Sequence, residues 1–415
     1  MRFSTTDAVA MFVALGLLLM AARILGEAAR RLGQPAVLGE LLVGIILGPT
    51  LLGRLAPELY AAVFPSSGPV VSFFSGFTLL SVSLFLFVAG MEIHFSSVLK
   101  LGRSALTVSA AGIVIPFAVG ALAGKAFPAQ LGYQEGTVPP LTFALFFGTA
   151  LSISALPVIA KTLMDLGLYR TRVGTVTMAA AVVDDLFGWI IFAMILSTVN
   201  SAHEQFSVPA VLGLTLAFAA LMLTAGRKIL DRVLLKFAAH TQWPGGMISL
   251  FLVVALLSSA FTEWIGIHSL FGAFIAGVVI GESEHMQDPR MDQDVRHTID
   301  KFITSILAPI VFATAGIRID FWSNFDPVLT LTVILIACAG KIAGCWWAAR
   351  STGMESREAM AIGFAMNSRG AMEIIMALIA LEAKIIAVPL FVALVTMAIV
   401  TSAISGPMMK KILRT

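Results

Sequence analysis

Gly174-TVTMAAAVV-Asp184-Asp185-LFGWIIFAMIL-Ser197 is long and apolar enough to cross a bilayer, yet it carries two adjacent aspartates near its middle. The pair falls about eleven residues in, roughly 17 Å at about 1.5 Å per residue, which is close to the centre of a hydrocarbon core about 30 Å thick. One carboxylate at that depth costs about 2.5–3.5 kcal/mol on insertion scales. Protonated acids making a helix-packing hydrogen bond would explain one such residue. Two side by side point instead to water, a cation or protons, so the segment predicts a helix that moves cations or protons.

The rest of the chain agrees with a membrane setting. Of its residues 58% are hydrophobic and 12% charged, with mean hydropathy +0.95, against about 25% charged in soluble domains. A net charge of +3 gives no case for nucleic acid as a partner. The apolar run Ala8 to Leu25 is followed by no A-x-A-type cleavage site and reads as a span. Cys338 and Cys345 lie roughly 10 Å apart by helical rise, too far for a disulfide. No metal-ligand cluster, nucleotide loop or nucleophile elbow is present in the sequence, so neither an enzyme nor a bound cofactor is expected.

Apolar runs between charged or Pro/Gly-rich joints predict an all-α polytopic membrane protein of about thirteen transmembrane helices. They fall at 7–25, 36–52, 70–90, 104–124, 140–164, 173–198, 208–226, 247–264, 268–282, 302–318, 327–349, 358–380 and 386–408. Joints are short, which predicts one transmembrane domain over residues 1–415 without a soluble regulatory domain. The longest joint, Glu282 to Lys301 with Pro289, is expected to be partly helical along the membrane surface. Lys and Arg set the orientation. Of the 27 in the chain, Arg2, Arg54, Lys125, Arg318 and Lys384 fall on one side, Lys341 and Arg369 lie within spans, and all others fall on the opposite side. The basic side is the cytoplasmic one, which places the N-terminus outside and the C-terminus inside.

Two spans should be interrupted. The fifth contains Thr149-ALSISAL-Pro157, small hydroxyls followed by a proline that frees backbone carbonyls. The twelfth contains Gly363-FAM-Asn367-Ser368-Arg369-Gly370 at similar depth. They are seven apart in order, hence antiparallel, as in an inverted-topology repeat whose ion site forms at unwound helix pairs. Thr149, Ser154, Asp184 and Asp185 are the candidate ion-binding residues. Lys341, in Gly340-Lys341-IA-Gly344, lies about 13 Å by helical rise from Arg350, beyond easy snorkelling. The acids of the sixth span are its candidate partners, and the small-xxx-small pair admits a neighbouring backbone. Arg369 has Glu373 four residues on, or Glu40, as possible carboxylate partners. With Asn367 these three are read as bracing the crossed helices, because a guanidinium does not release its proton. The histidines at 94, 203, 240, 285 and 297 fall in joints and His268 opens a span; solvated loop positions explain them.

On these residues the chain resembles the monovalent cation:proton antiporter-2 family, in its sodium/proton members with an Asp-Asp motif. The matching pieces are Gly39-Glu40-LLVGIILGP to Pro49, SLFLFVAGME to Glu92, ALSISALPVIAKTL to Leu163, the aspartate pair, Lys341 and the Asn367-Ser-Arg369-Gly segment. The resemblance implies a thirteen-helix homodimer in the cell (inner) membrane. Its dimerisation part would lie around the first, second and eighth spans, and its ion-transport core would hold the fifth, sixth, eleventh and twelfth. It also implies that Asp185 carries the transported Na⁺ and proton while Asp184 pairs with Lys341, which either bridges or carries a proton itself. The expected activity is electrogenic Na⁺/H⁺ exchange by alternating access. A K⁺/H⁺ or mixed Na⁺/K⁺ antiporter, and a pH-gated cation channel, are the alternatives.

Overall fold

The computed structural model describes residues 3–31, 36–92, 102–199, 208–283, 286, 291–317 and 319–414, and they are built overwhelmingly from helices. In chain order the principal ones begin with α1 (Thr5–Arg31), α2 (Ala36–Leu47), α3 (Pro69–Glu92), α4 (Arg103–Ala126), α5 (Pro140–Ser152), α6 (Leu156–Asp165), α7 (Arg172–Val199) and α8 (Val208–Leu221). There follow α9 (Arg227–His240), α10 (Gly245–Trp264), α11 (Ser269–Gly281), α12 (Ala308–Ile317), α13 (Pro327–Ser351), α14 (Ser356–Met366), α15 (Ala371–Glu382) and α16 (Val388–Arg414). Among the described residues eleven helices are long and apolar enough to cross a membrane, and the pair α14–α15, bent by 43°, makes a twelfth. The expected ninth span is α11. Its thirteen residues cover only about 20 Å, and every one is buried, so protein rather than lipid surrounds it.

The sequence signals show how individual ends are set. Asp326 accepts from the Val328 and Leu329 amides at 2.9 and 3.0 Å, and Pro327 opens α13 where its missing N–H is no loss. The expected end of the seventh span at residue 226 is not an end. A π-turn, Met222–Gly226, leads straight into α9. The charges that marked a joint do not stop the helix: on its inner side Arg227 meets Glu282 at 3.4 Å and Asp231 accepts from the Ser283 hydroxyl at 2.5 Å, while Lys228, Arg232 and Lys236 are exposed. From Met291 the long joint is helical. Arg2, His94, His203, His285, Pro289 and Arg318 lie outside the described residues.

The chain divides into two compact units, one of Met1–Ser96 with Asn200–Phe321, the other of Ser97–Val199 with Trp322–Thr415. The first holds α1–α3 and α8–α12, with Ala14, Leu18, Val43, Phe74, Ala313 and Ile317 in its core. Within it α3 and α11 approach backbone to backbone. A Cβ on Gly277 would fall 2.0 Å from the Phe87 carbonyl oxygen, and one on Gly90 would fall 2.3 Å from that of Phe274. Such close approach replaces the hydrophobic effect as the source of helix association in lipid. The second unit holds α4–α7 and α13–α16, and Leu163, Ala180, Ala348, Ile362, Met366 and Met409 pack in its core.

Two substitutions on α3 test this packing. Gly90→Val forces backbones apart and is expected to lower the melting temperature in detergent, with an overpacking cost of about 1–3 kcal/mol. Gly76→Ala, where nothing lies within 4 Å, should leave it unchanged or slightly raised. Equal melting of the two variants would contradict the α3–α11 contact.

Candidate functional site

Prolines and helix breaks leave backbone carbonyls without their normal donors, and the second unit assembles its site from those orphans. α5 stops at Ser152 and α6 starts at Leu156 with Pro157 as its second residue. α14 stops at Met366 and α15 starts at Ala371. The two gaps meet: the Ala155 amide donates to the Ser368 carbonyl at 2.9 Å, and the Ser154 hydroxyl lies 2.7 Å from the Met366 carbonyl. The breaks expected around Ser154–Pro157 and Asn367–Gly370 are thus formed and hydrogen-bonded to each other.

Cations close the exposed end of α5. In an uninterrupted helix the carbonyl of Ile153 would accept from residue 157, a proline with no N–H. Arg369 supplies the missing donor at 3.3 Å, and it also bonds the Ala150 and Leu151 carbonyls, each at 2.6 Å. Its Nη1 meets Glu373 Oε1 at 3.1 Å, with both side chains buried. Glu373 lies in the first turn of α15, where a carboxylate complements the helix dipole; Arg369 does the same for the carbonyl end of α5.

Lys341 is met in the same way. Its ammonium donates to Asp184 Oδ2 at 2.5 Å, to the Gly112 carbonyl at 2.8 Å and to the Ser152 carbonyl. Gly112 lies four residues before Pro116, so its carbonyl too has lost its helical donor. All three ammonium protons are therefore used on one carboxylate and two orphaned carbonyls. The close approach expected beside Gly340 and Gly344 is made by α4: a Cβ on Gly344 would fall 3.2 Å from the Ala111 carbonyl oxygen.

Asp184 is completely buried and also accepts from Ser109 of α4 at 3.3 Å. The Ser154 hydroxyl lies 3.0 Å from its Oδ2, so one proton serves either Asp184 or the Met366 carbonyl. Asp185 is next along α7, 5% exposed, and about 100° around the helix from its neighbour.

Other expected residues stand apart. Thr149 spends its hydroxyl inside α5 on the Leu145 carbonyl at 2.8 Å. The Asn367 amide donates to Cys338 Sγ at 3.3 Å. Glu40 belongs to the other unit, buried against Gly26 of α1, and Arg369 takes Glu373 as its carboxylate. His240 and His297 are exposed, whereas His268 is half-buried and accepts from the Leu270 amide at 3.4 Å as the cap of α11. Ser109 and Gly112 were not among the expected site residues. The signal was there in Gly112-xxx-Pro116, a proline that announces an unsatisfied carbonyl four residues earlier.

Lys341→Gln is expected to lower the melting temperature, and Asp184→Asn added to it should cost less than the two effects summed. The double-mutant cycle should show a coupling of about 1–3 kcal/mol. Additive losses would mean that the pair is not energetically linked.

Comparison with known proteins places this geometry among similar chains. The sodium/hydrogen exchanger transmembrane family profile matches residues 15–415. The Na(+)/H(+) antiporter NhaS4 of Synechocystis sp. (strain ATCC 27184 / PCC 6803 / Kazusa) is 32% identical over 395 residues, covering 94% of each chain. The Na(+)/H(+)-K(+) antiporter GerN of Bacillus cereus is 27% identical over 400 residues, 96% of this chain and 95% of that protein. Against several cation/H(+) antiporters of Arabidopsis thaliana this chain spans about half the relative's length, 44–48%. The solved structure of the sodium proton antiporter MjNhaP1 from Methanocaldococcus jannaschii superimposes with a TM-score of 0.70 at 16% identity, over 98% of both chains.

Proposed function

The chain belongs to the sodium/hydrogen exchanger family, and from that premise we propose that it exchanges Na⁺ for protons across a membrane by alternating access, with Asp185 as the shared cation and proton site. It is a secondary cation:proton antiporter. The observation that carries the site assignment is the balance of buried charge at the crossing. Asp184, Asp185 and Glu373 oppose Lys341 and Arg369, and all five side chains are buried. Fully ionised, the group holds one net negative charge, and a low-dielectric interior penalises any charge left uncompensated. One Na⁺ or one proton neutralises it. Asp184 is held by Lys341 and two hydroxyls, and the family resemblance assigns its neighbour as the group that cation and proton compete for.

Competition fixes the sign of the pH dependence. Na⁺ binds the ionised carboxylate, so acidification protonates the site and raises the Na⁺ concentration needed for half-maximal exchange. Alkaline conditions favour Na⁺ loading and slow the proton-loaded return. In support of a bracing role, Lys341 has all three donors engaged, so we assign it to holding Asp184 and the end of α5 rather than to carrying the proton. K⁺ as an additional cargo is favoured by one observation, the mixed Na⁺ and K⁺ designation of GerN.

We further assign the transport core to the unit holding α5–α7 and α13–α15, and a homodimer interface to the region of α1, α2 and α10; both follow the family resemblance. The Lys and Arg asymmetry assigns the C-terminus to the cytoplasm of the cell membrane.

Proteoliposomes with a pH dye and an imposed Na⁺ gradient test the activity. Wild type should move protons against their own gradient, which a channel cannot do. Asp185→Asn should abolish this movement while leaving folding and oligomeric mass unchanged, and Asp184→Asn should leave slower exchange. Wild-type rates in Asp185→Asn with a dead Asp184→Asn would reverse the assignment. Repeating the assay with K⁺ gradients decides the cargo.

A further inference from the structure

Independently of which cation is exchanged, we propose that the outward face of α9 docks the headgroups of anionic phospholipids. The inner side of this helix is anchored. Leu230 and Leu234 are 7% and 1% exposed, and the Arg227–Glu282 and Ser283–Asp231 contacts tie down neighbouring turns. The outer side carries two parallel stripes with a spacing of four residues. Lys228, Arg232 and Lys236 form one; Ile229, Val233 and Phe237 form the other, one position along. All six are exposed, the apolar three at 59%, 38% and 36%. The three cations make no ion pair among the described residues.

An apolar stripe beside a cationic one suits the bilayer interface, where the first enters the acyl boundary and the second meets headgroups. The position along the chain agrees. Twenty helical residues counted from Val208 rise about 30 Å and reach Arg227, so α9 begins where the hydrocarbon ends. Lys228 to Lys236 then covers about 12 Å, enough to engage more than one headgroup. Trp243, 42% exposed with its indole N–H on Asp294 at 2.9 Å, adds an amphipathic ring of the kind enriched at this level. Charge decides the occupant. A second copy of the chain would bring the same basic stripe to a two-fold contact and be repelled, whereas the cytoplasmic leaflet presents anionic lipid.

Thermal melting in detergent, with phosphatidylglycerol or phosphatidylcholine titrated in, tests the proposal. Phosphatidylglycerol should raise the wild-type melting temperature more than phosphatidylcholine does, and salt should weaken the effect. In Lys228→Gln/Arg232→Gln/Lys236→Gln the midpoint of the phosphatidylglycerol titration should rise by on the order of tenfold or more. Lys161→Gln/Arg170→Gln/Arg172→Gln, which removes as many basic charges elsewhere, should titrate like wild type. Native mass spectrometry of the α9 variant should show fewer retained phosphatidylglycerol molecules. A wild-type response in the α9 variant, or an equal loss in both variants, overturns the proposal. So does a drop in oligomeric mass in Ile229→Ser/Val233→Ser/Phe237→Ser with the lipid response intact, because the face would then be a subunit contact.

Discussion

A lysine ammonium sealed from water must find an acceptor for each of its three protons or lose its charge, and the site is arranged around meeting that demand for Lys341. One acceptor is Asp184, fixed by α7; the other two are carbonyls of Gly112 and Ser152. Neither carbonyl would be available in regular helices. Pro116 removes the donor that Gly112 would have used, and the end of α5 removes the one for Ser152. The interruption of α5 and the proline of α4 are therefore requirements of the buried charge as much as sources of backbone irregularity.

The same reasoning explains Arg369. An interrupted membrane helix exposes the partial negative charge of its carbonyl end and the partial positive charge of the next amide end, with no water to screen either. The guanidinium spreads over three carbonyls at the end of α5, and the carboxylate it pairs with stands in the first turn of α15. The two unwound stretches bond each other through Ala155 and Ser368. Irregular backbone survives in the membrane interior because side chains and carbonyls in the same unit satisfy it.

These contacts also bear on the transported charge. Lys341 spends all three donors on structural acceptors and Arg369 pairs with Glu373, so the remaining charge imbalance falls on the aspartate pair. In the proposed exchange a proton or Na⁺ neutralises the same carboxylate. In the other unit α3 and α11 meet through glycines, and the exposed cations Lys228, Arg232 and Lys236 lie on α9.

By itself the sequence determined the membrane class, the position of most of the apolar helices and both helix interruptions. These follow from hydropathy, charge and proline at positions along one strand of chain, which are local properties. It also marked Asp184, Asp185, Lys341, Arg369 and Glu373, because an ionisable group at mid-span is conspicuous wherever its partner lies. Tertiary structure alone decided who meets whom. Thr149 turned back into its own helix, Glu40 fell in the other unit, and Ser109 and Gly112 joined the site from a span with no charge to advertise it. The length of α9 was settled in the same way, since burial of Leu230 and Leu234 and pairing of Arg227 and Asp231 carry the helix past charges that looked like its end. The physical reason is common to all of these: a side chain's depth is written in the order of residues, but the face it presents and the acceptor it finds depend on the rotation and approach of helices that are distant in sequence.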